Sequence, residues 1–327
     1  MTRRIGIIGT GIMGADHAAT LHRHVSGAEV TVVADLDRPR AQAVAGRLGC
    51  RVTDDPAALI ADPEVDAVLV ASHDSTHAEL IRACVAAGKP VLCEKPLSPS
   101  LDESAALLKA LGARAGLVSL GFMRRFDPGY AALRQAIHDN AIGAPVLVHT
   151  SARTVSAGPG STTESSIVNS AVHDLDIVPW LLGSPVTEAS WHAPRQAGPD
   201  FQDPHLILLR TGSGVLVTVE TFLNAGYGYD IRCEVVGRAG ALTLAEPVRL
   251  VTDGAARRSQ AYAADWRPRF AEAYRLELQG WVDSLTGAPA APLAGAIDGL
   301  IGSAVAEAVL ASMRSGGAWR PVELPQW

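Results

Sequence analysis

A glycine-rich loop near the start of the chain constrains the fold more than any other feature of the sequence. It follows an apolar run at residues 5–8, and a helical pattern over residues 12–24 continues from it. In a dinucleotide-binding strand–turn–helix unit, the first glycine permits the tight turn, the second lets the backbone approach the pyrophosphate, and the third lets the helix pack on the strand. A glycine turn in a nucleotide-free domain is the alternative. The loop residues are Gly9, Thr10, Gly11, Ile12, Met13 and Gly14.

An acidic residue at the end of the second apolar run predicts which dinucleotide binds. Asp35 can accept hydrogen bonds from both ribose hydroxyls and would repel a 2′-phosphate, so the sequence favours NAD. The helix that begins in the loop offers free N–H groups and a positive dipole end to the phosphates. Arg38 and Arg40 follow closely and could accommodate a phosphate, which leaves NADP open.

Strand and helix patterns alternate through the first third of the chain. Apolar, partly β-branched runs recur at residues 30–34, 65–71, 90–93 and 117–121. Helical patterns over residues 38–48, 75–87 and 101–111 lie between them. Runs of this kind are typical of parallel strands that are buried on both faces. The alternation therefore predicts a doubly wound parallel sheet.

The pattern changes after residue 121. Residues 156–166 are rich in Gly, Ser and Thr and are expected to form a loop, and a helix is expected over residues 168–182. Between residues 205 and 244, short runs are separated by glycine-rich turns, which predicts a meander of antiparallel strands. The chain is long enough for two domains that each bury a core. We expect them at residues 1–122 and 123–327.

Two polar residues outside the loop carry the predicted chemistry. Lys95 follows the run at residues 90–93, and His173 lies in a helical pattern, four residues after Asn169 and so on the same helix face. Oxidising a secondary alcohol requires a hydride acceptor and a base for the hydroxyl proton, and histidine suits the second role. Lys95 can hydrogen-bond the reacting oxygen. Alone, each would be an ordinary structural or surface residue; with the loop, they indicate hydride transfer to or from an alcohol.

Three residues after the run at residues 65–71 form a further candidate region. Ser72, His73 and His77 follow that strand, whose end should lie over the cofactor. We therefore expect contacts with the ribose or the nicotinamide, although polar loop residues or a helix cap would explain the same pattern. His17 is expected to be an ordinary residue of the first helix. The remaining histidines have no metal-ligand spacing, so no metal site is predicted.

Composition and charge argue against several classes of protein. The formal net charge is -6 and no basic stripe is present, so nucleic acid is not an expected partner. The longest apolar runs look far shorter than the ~20 residues of a membrane helix, and the first residues lead into a strand rather than into a signal peptide. The cysteines are scattered without a CxxC pair, which predicts reduced thiols in a cytoplasmic protein. They are Cys50, Cys84, Cys93 and Cys233.

These motifs resemble those of the Gfo/Idh/MocA oxidoreductase family, named for glucose–fructose oxidoreductase, inositol dehydrogenase and a rhizopine-catabolism protein. The glycine loop, Glu94-Lys95-Pro96 and His173-Asp174-Leu175-Asp176 carry the resemblance. Residues 121–130, 228–231 and 265–277 are similar to the inositol 2-dehydrogenase branch in particular. The resemblance runs over nearly the whole chain.

The resemblance implies an N-terminal Rossmann domain and a C-terminal α/β domain with an open, mostly antiparallel sheet. The outer face of that sheet would form dimers or a homotetramer. Lys95 and His173 would be catalytic, together with Asn169, and Pro96 would follow a cis peptide bond. The remaining site residues implied are Glu94 and Met123 at the cofactor, and Arg124, Asn169, Ser170 and Tyr229 at the substrate.

One position departs from the family pattern. Members of the family commonly carry aspartate four residues before the catalytic histidine, where this chain has Asn169. An amide can orient a hydroxyl but cannot take up a proton, so either His173 acts alone as the base or the substrate differs from myo-inositol.

The function that we expect is oxidation, with NAD, of a secondary hydroxyl of an inositol or related cyclic polyol to a ketone. The alternatives are NAD(P)H-dependent reduction of a keto-cyclitol or keto-sugar in biosynthesis, and a dinucleotide-binding sugar sensor without chemistry.

Overall fold

The chain forms two compact units, each assembled from separate stretches of sequence. The computed structural model describes residues 2–194, 201–245, 250–288 and 291–327. The first unit comprises Met1–Phe126, Glu272–Ser303 and Leu324–Trp327, and the second comprises Asp127–Ala271 and Ala304–Glu323. The chain thus returns to the first unit after building most of the second, while the domain boundary after residue 122 stays a prediction.

Strands and helices are numbered in chain order. The strands are β1 (Arg3–Ile8), β2 (Ala28–Ala34), β3 (Arg51–Thr53), β4 (Ala67–Val70), β5 (Val91–Glu94), β6 (Val118–Gly121), β7 (Pro145–Arg153), β8 (Val186–His192), β9 (His205–Thr211), β10 (Leu216–Phe222), β11 (Asp230–Gly237), β12 (Gly240–Thr243), β13 (Thr252–Gly254), β14 (Arg257–Ser259), β15 (Ala294–Gly295) and β16 (Arg320–Pro321). The α-helices are α1 (Ile12–His24), α2 (Arg38–Leu48), α3 (Pro56–Ala61), α4 (His77–Ala86), α5 (Leu101–Leu111), α6 (Pro128–His138), α7 (Thr163–Ser166), α8 (Val172–Leu182), α9 (Trp266–Ser284) and α10 (Ala296–Arg314).

A seven-stranded sheet lies at the centre of the first unit, in the order β15-β6-β5-β4-β1-β2-β3. All of its pairings are parallel except that of β15 with β6. This confirms the predicted doubly wound parallel sheet. Apolar residues of β1, β2 and α1 form the core, together with the second half of α9. Its members include Ile5, Ile7, Leu21, Val33, Leu278 and Trp281.

Local sequence signals explain which elements of this unit were predictable. The bounds expected for α1, α2 and α5 are those observed. In α2, Asp37 caps the first turn by accepting from the N–H of Arg40, and Gly49 ends the helix in the left-handed region. The prediction missed β3 and α3. β3 has only three residues and no buried face, so it leaves no apolar pattern in the sequence. The helix expected over residues 75–87 begins instead with a 3₁₀ turn, Asp74–Thr76.

A second seven-stranded sheet organises the second unit, in the order β12-β11-β7-β10-β9-β8-β16. Its pairings are antiparallel except β10 with β7, so the expected mostly antiparallel sheet is confirmed. The predicted meander is confirmed for β9 with β10 and for β11 with β12, which pair antiparallel. It is wrong for β10 and β11, because β7 lies between them. β8 was also missed, since Thr187, Glu188 and Ser190 interrupt its apolar pattern.

The segment expected to be one α-helix over residues 168–182 has two parts. Ile167–Ala171 is a π-helix, and α8 continues from it. The π-turn is wider than an α-turn, and such insertions often occur at functional sites. The loop expected over residues 156–166 ends in the short helix α7, where Thr162 and Ser165 cap each other reciprocally.

Within the described residues, α10 departs from the expectation that apolar segments stay far below membrane-helix length. Its length and composition would suffice for a membrane span, yet 61% of its 18-residue apolar window is buried inside the protein. A helix that is apolar all round is also what a large core contains, so its hydropathy alone carries little weight.

Candidate active site

The carboxyl ends of four neighbouring parallel strands gather the predicted residues of the first unit. β5, β4, β1 and β2 are adjacent in the sheet, and their ends lead into Lys95, Ser72, the glycine loop and Asp35. Because parallel strands end at one edge of a sheet, these residues share that edge. The edge includes the place where the strand order reverses, where ligands bind in folds of this kind.

The three loop glycines are required for three different reasons. Gly9 has φ +91°, a left-handed conformation that side chains rarely adopt. A Cβ on Gly14 would lie 1.9 Å from the carbonyl oxygen of Gly9, so the helix can approach the loop only without one. A Cβ on Gly11 would meet only Arg40 Nη1, at 3.9 Å. Space is therefore open above Gly11, where the sequence predicts the pyrophosphate.

The first turn of α1 fits an anionic ligand. Gly11 is the N-cap residue and supplies no side-chain cap to the helix. The first backbone N–H groups of a helix have no intrahelical acceptor and carry the positive end of the dipole. Ile12, at this end, is 71% exposed despite its apolar side chain. The loop thus presents open backbone donors to a dinucleotide.

Asp35 is held against the loop by hydrogen bonds. Its Oδ2 accepts from the N–H and the hydroxyl of Thr10, both at 2.7 Å, and its Oδ1 accepts from the N–H of Asp37 at 2.8 Å. Burial alone would raise the pKa of Asp35, but these hydrogen bonds outweigh it and the pKa lies below its ordinary value. A carboxylate ionised at neutral pH disfavours a 2′-phosphate at this position.

The residues after β4 divide into exposed and buried groups. His73 is 79% exposed and lies 2.9 Å from Asp74 Oδ1. His77 is buried, and its ring nitrogens lie 2.7 Å from the carbonyl oxygen of Pro96 and 3.2 Å from that of Ser72. The ring therefore ties the ends of β4 and β5 together. Direct contact of Ser72, His73 and His77 with a cofactor stays a prediction.

Lys95 directly follows β5, and its peptide bond to Pro96 is cis. The lysine side chain is partly buried. Burial lowers the pKa of Lys95, while the carboxylates of Glu94 and Asp74 act in the opposite direction. A lysine in these surroundings can change its protonation near neutral pH more readily than a solvated one.

The side chain of Glu94 points into the interior of the first unit. Its Oε1 lies 2.8 Å from His17 Nε2, and its Oε2 accepts from the backbone N–H of Lys95 at 3.2 Å. Met123 and Arg124 lie in a 3₁₀ turn, Met123–Phe126, after β6, and each is 2% exposed. Whether Glu94, Met123 and Arg124 contact a ligand stays a prediction.

In the second unit, three predicted residues lie on one continuous helical segment. Asn169 and Ser170 belong to the π-turn, and His173 lies in the first turn of α8. The expected four-residue stacking of Asn169 on His173 assumed an α-helix, and the wider turn changes the angle between the two side chains. Asn169 is exposed, and His173 is partly buried.

Tyr229 is positioned by a cluster in the same unit. Its N–H donates to the carbonyl of Ala263 at 3.1 Å, and its ring meets that of Phe270 edge to face, with centroids 6.3 Å apart. The guanidinium of Arg269 lies 4.4 Å from the centroid of Phe270. Arg269 also donates to Asp127 at 2.9 Å, and both side chains are at least 93% buried.

The sequence reasoning missed the roles of His17 and of the Asp127–Arg269 pair. His17 was expected to be an ordinary residue of α1. The buried residues of that helix are Gly14, His17, Ala18 and Leu21, whose spacing of three, four and seven marks an inward face. That signal was present in the sequence. Nothing local pairs Asp127 with Arg269, which lies 142 residues away.

No group of three or more histidine, cysteine, aspartate or glutamate side chains is arranged to hold a metal ion in the parts of the chain that the structure describes. None of the four cysteines, all of which the structure describes, forms a disulfide bond, and all but Cys50 are buried.

Comparison with known proteins shows two family models that match most of this chain. Residues 3–122 match the family model of the Gfo/Idh/MocA oxidoreductases for the NAD-binding Rossmann fold, and residues 134–324 match the model for their C-terminal α/β domain. The chain is 53% identical over 325 residues to inositol 2-dehydrogenase 2 of Paenarthrobacter aurescens, covering 97% of this chain and 98% of that protein. It is 46% identical to inositol 2-dehydrogenase 2 of Saccharopolyspora erythraea, covering 99% and 96%.

Among solved structures, the chain is similar to myo-inositol dehydrogenase of Lactobacillus casei in complex with NAD(H) and myo-inositol. The TM-score is 0.93 at 29% sequence identity, and the match covers 100% of this chain and 98% of that one. Both domains, the glycine loop and the order of the elements thus agree with one group of enzymes, and the chain belongs to the Gfo/Idh/MocA oxidoreductase family.

Proposed function

We propose that this protein is an NAD-dependent dehydrogenase that oxidises a secondary hydroxyl of an inositol, or of a related cyclic polyol, to the ketone. The observation that carries the proposal is the placement of Lys95, with its lowered pKa, at the same sheet edge as the glycine loop. The choice of substrate class is supported by the inositol 2-dehydrogenases that match along the full length.

Binding of the dinucleotide is assigned to the edge of the first unit. The N-terminus of α1 and the open space at Gly11 receive the pyrophosphate, and Asp35 accepts from the ribose hydroxyls. Bound nicotinamide supplies the hydride acceptor, its C4 carbon. The Asp35 carboxylate has acceptor positions beyond those used by Thr10 and Asp37, so it can accept from the ribose hydroxyls as well.

Two residues act on the reacting hydroxyl group in this proposal. His173 accepts the hydroxyl proton as hydride leaves the ring carbon. Lys95 donates a hydrogen bond to the same oxygen and stabilises the negative charge that develops on it. The hydroxyls around the ring are oriented by Asn169, Ser170, Arg124 and Tyr229.

Asn169 limits how the proton can leave. Its amide offers one acceptor and two donor positions to a substrate hydroxyl but has no titratable proton. The proton taken up by His173 therefore does not pass through residue 169. We infer that His173 is the single base on this path.

We also propose a cytoplasmic homotetramer that associates through the outer face of the second sheet. Leu206 and Leu216 lie on that face and are 36% and 38% exposed. Exposed leucines on a broad sheet favour association with another copy. Light scattering coupled to size exclusion, with Leu206→Lys and Leu216→Lys as disrupting changes, measures the number of subunits.

An assay of isolated protein tests the function directly. The protein is mixed with myo-inositol, scyllo-inositol, D-chiro-inositol or D-glucose, with NAD or NADP, and the reduced nicotinamide is followed by absorbance. Formation of NADH with an inositol is the expected result. Binding of NAD without reduction by any of them would contradict the proposal and favour a keto-sugar reductase or a sensor. Reduction assays with keto-inositol and NADH or NADPH separate those two.

A further inference from the structure

A buried histidine on α1 contacts the residue next to Lys95. His17 is 2% exposed, and its Nε2 lies 2.8 Å from Glu94 Oε1. Its Nδ1 has no hydrogen-bond partner within the described part of the chain. The ring of Tyr274 meets it edge-on, with centroids 5.6 Å apart. A polar side chain is rarely buried this deeply without a specific partner, and here that partner is Glu94.

The Glu94 carboxylate bridges His17 and the backbone of Lys95. While Oε1 faces His17, Oε2 accepts from the N–H of Lys95 at 3.2 Å. Gly121, paired with Glu94 across β5 and β6, leaves room for the carboxylate, because a Cβ there would lie 3.1 Å from its carbon. The carboxylate is thus confined by a histidine, a backbone N–H and a neighbouring glycine.

The charges around this group are consistent with an ionised carboxylate. Burial by itself would raise the pKa of Glu94, but the hydrogen bond and charge of His17, together with Lys95, outweigh it and lower the pKa. An ionised carboxylate only accepts hydrogen bonds, so His17 Nε2 carries a proton. Charged groups that act on Lys95 include Glu94 and Asp74.

We propose that His17 is a positioning residue that acts through Glu94. Its hydrogen bond holds the carboxylate against the start of the Lys95–Pro96 segment and thereby fixes the Lys95 ammonium group at the reacting oxygen. The proposal rests on the role of Lys95 in the proposed function. In this proposal His17 acts through Glu94 and not by contact with substrate or cofactor.

Two substitutions separate a hydrogen-bonding role from a packing role. His17→Gln keeps a donor near the position of Nε2, and His17→Leu removes it while filling similar space. Because small displacements of a reacting group cost large factors in rate, we expect His17→Leu to lower kcat by about tenfold or more, and His17→Gln to recover most of it. KM for NAD should change little. His22→Leu, exposed on the same helix, is the matched control.

The pH profile gives a readout that a packing role would not change. Without the donor, burial raises the pKa of Glu94, so activity in His17→Leu should be lost at a higher pH on the acid side than in the wild type or in His17→Gln. Equal loss of kcat in both variants, with unchanged pH profiles, would overturn the proposal.

The lysines offer a measurement that does not depend on turnover. Lys89, Lys95 and Lys109 are the only three in the sequence, so ¹³C-lysine NMR of the full chain gives three side-chain signals. The signal that disappears in Lys95→Arg is that of Lys95. The signal of Lys109, which is exposed on α5, serves as a reference. The acid-side inflection of the Lys95 signal, which follows ionisation of Glu94, should move to higher pH in His17→Leu.

Glu94→Gln keeps the proposal testable if His17→Leu fails to fold. It should abolish that inflection and lower the pH at which Lys95 itself loses its proton. A Lys95 signal that titrates identically in wild type and Glu94→Gln would overturn the inference. Failure of the wild type to oxidise any inositol would contradict the proposed function and leave this titration interpretable.

Discussion

The sheet edge of the first unit and the helical segment at residues 167–182 of the second are built by different means. At the edge, backbone geometry places the residues: parallel strands end together, and the glycines open space by lacking a Cβ. In the helical segment a π-turn sets the direction of Asn169. Elsewhere in that unit, Tyr229 is positioned by a ring contact with Phe270, beside the buried ion pair of Asp127 and Arg269.

The difference predicts how each region responds to substitution. A site made by backbone geometry tolerates changes of side chain wherever space is open, and then loses ligand affinity rather than stability. A site positioned by a buried ion pair loses stability when one partner is removed, because the other charge stays buried.

The largest effect is expected for His173→Ala. Removing a general base lowers turnover by about 10²–10⁴-fold, while binding of NAD by the first unit remains. Stopped-flow measurement of NADH formation and fluorescence titration with NAD separate the two properties. His138→Ala, 84% exposed on α6, is the control. Normal turnover in the His173 variant would show that His173 is not the catalytic base. The helical segment would then have no demonstrated role in the site.

The second largest effect is expected for the buried ion pair of the second unit. Replacing Arg269 by Met leaves Asp127 without its buried cation, and breaking such a pair costs about 3–5 kcal/mol. Arg267, two residues earlier and 52% exposed, pairs with Asp265, and Arg267→Met should cost no more than about 1 kcal/mol. Urea unfolding of the two variants gives both values. Equal losses would show that burial is not what distinguishes the pairs.

The sequence predicted the edge better than the helical segment for a physical reason. The glycine loop, Asp35 and Lys95 follow from spacing within short stretches, which local rules describe. The π-turn adds a residue to a helical turn without changing composition, so periodicity did not reveal it. The link from Asp127 to Arg269 and the insertion of β7 between β10 and β11 depend on contacts distant in sequence.

Substitutions at two glycines of the loop test whether backbone geometry builds the nucleotide site. Gly11→Ala has open space for its methyl group, so the protein should keep its Tm yet bind NAD about tenfold or more weakly, because the methyl group enters the pyrophosphate position. Gly14→Ala cannot be accommodated beside the Gly9 carbonyl and should lower Tm. Calorimetry with and without NAD measures both properties. Unchanged affinity in Gly11→Ala would place the pyrophosphate elsewhere.

The smallest effect concerns pH and a buried histidine of β9. Burial lowers the pKa of His205 below its ordinary value, against the opposing influence of Gln202 and Asp203. Between that lowered pKa and the ordinary one near 6.5, the unfolded chain binds a proton that the folded chain does not, so stability falls as pH decreases through this window. His205→Leu removes the penalty. Its Tm relative to the wild type should therefore be higher at pH 5 than at pH 8, by a few degrees. A difference independent of pH would mean that His205 takes up its proton equally in the folded and the unfolded chain. At pH 5 the second unit would then hold a buried cation in its sheet as well as in its ion pair.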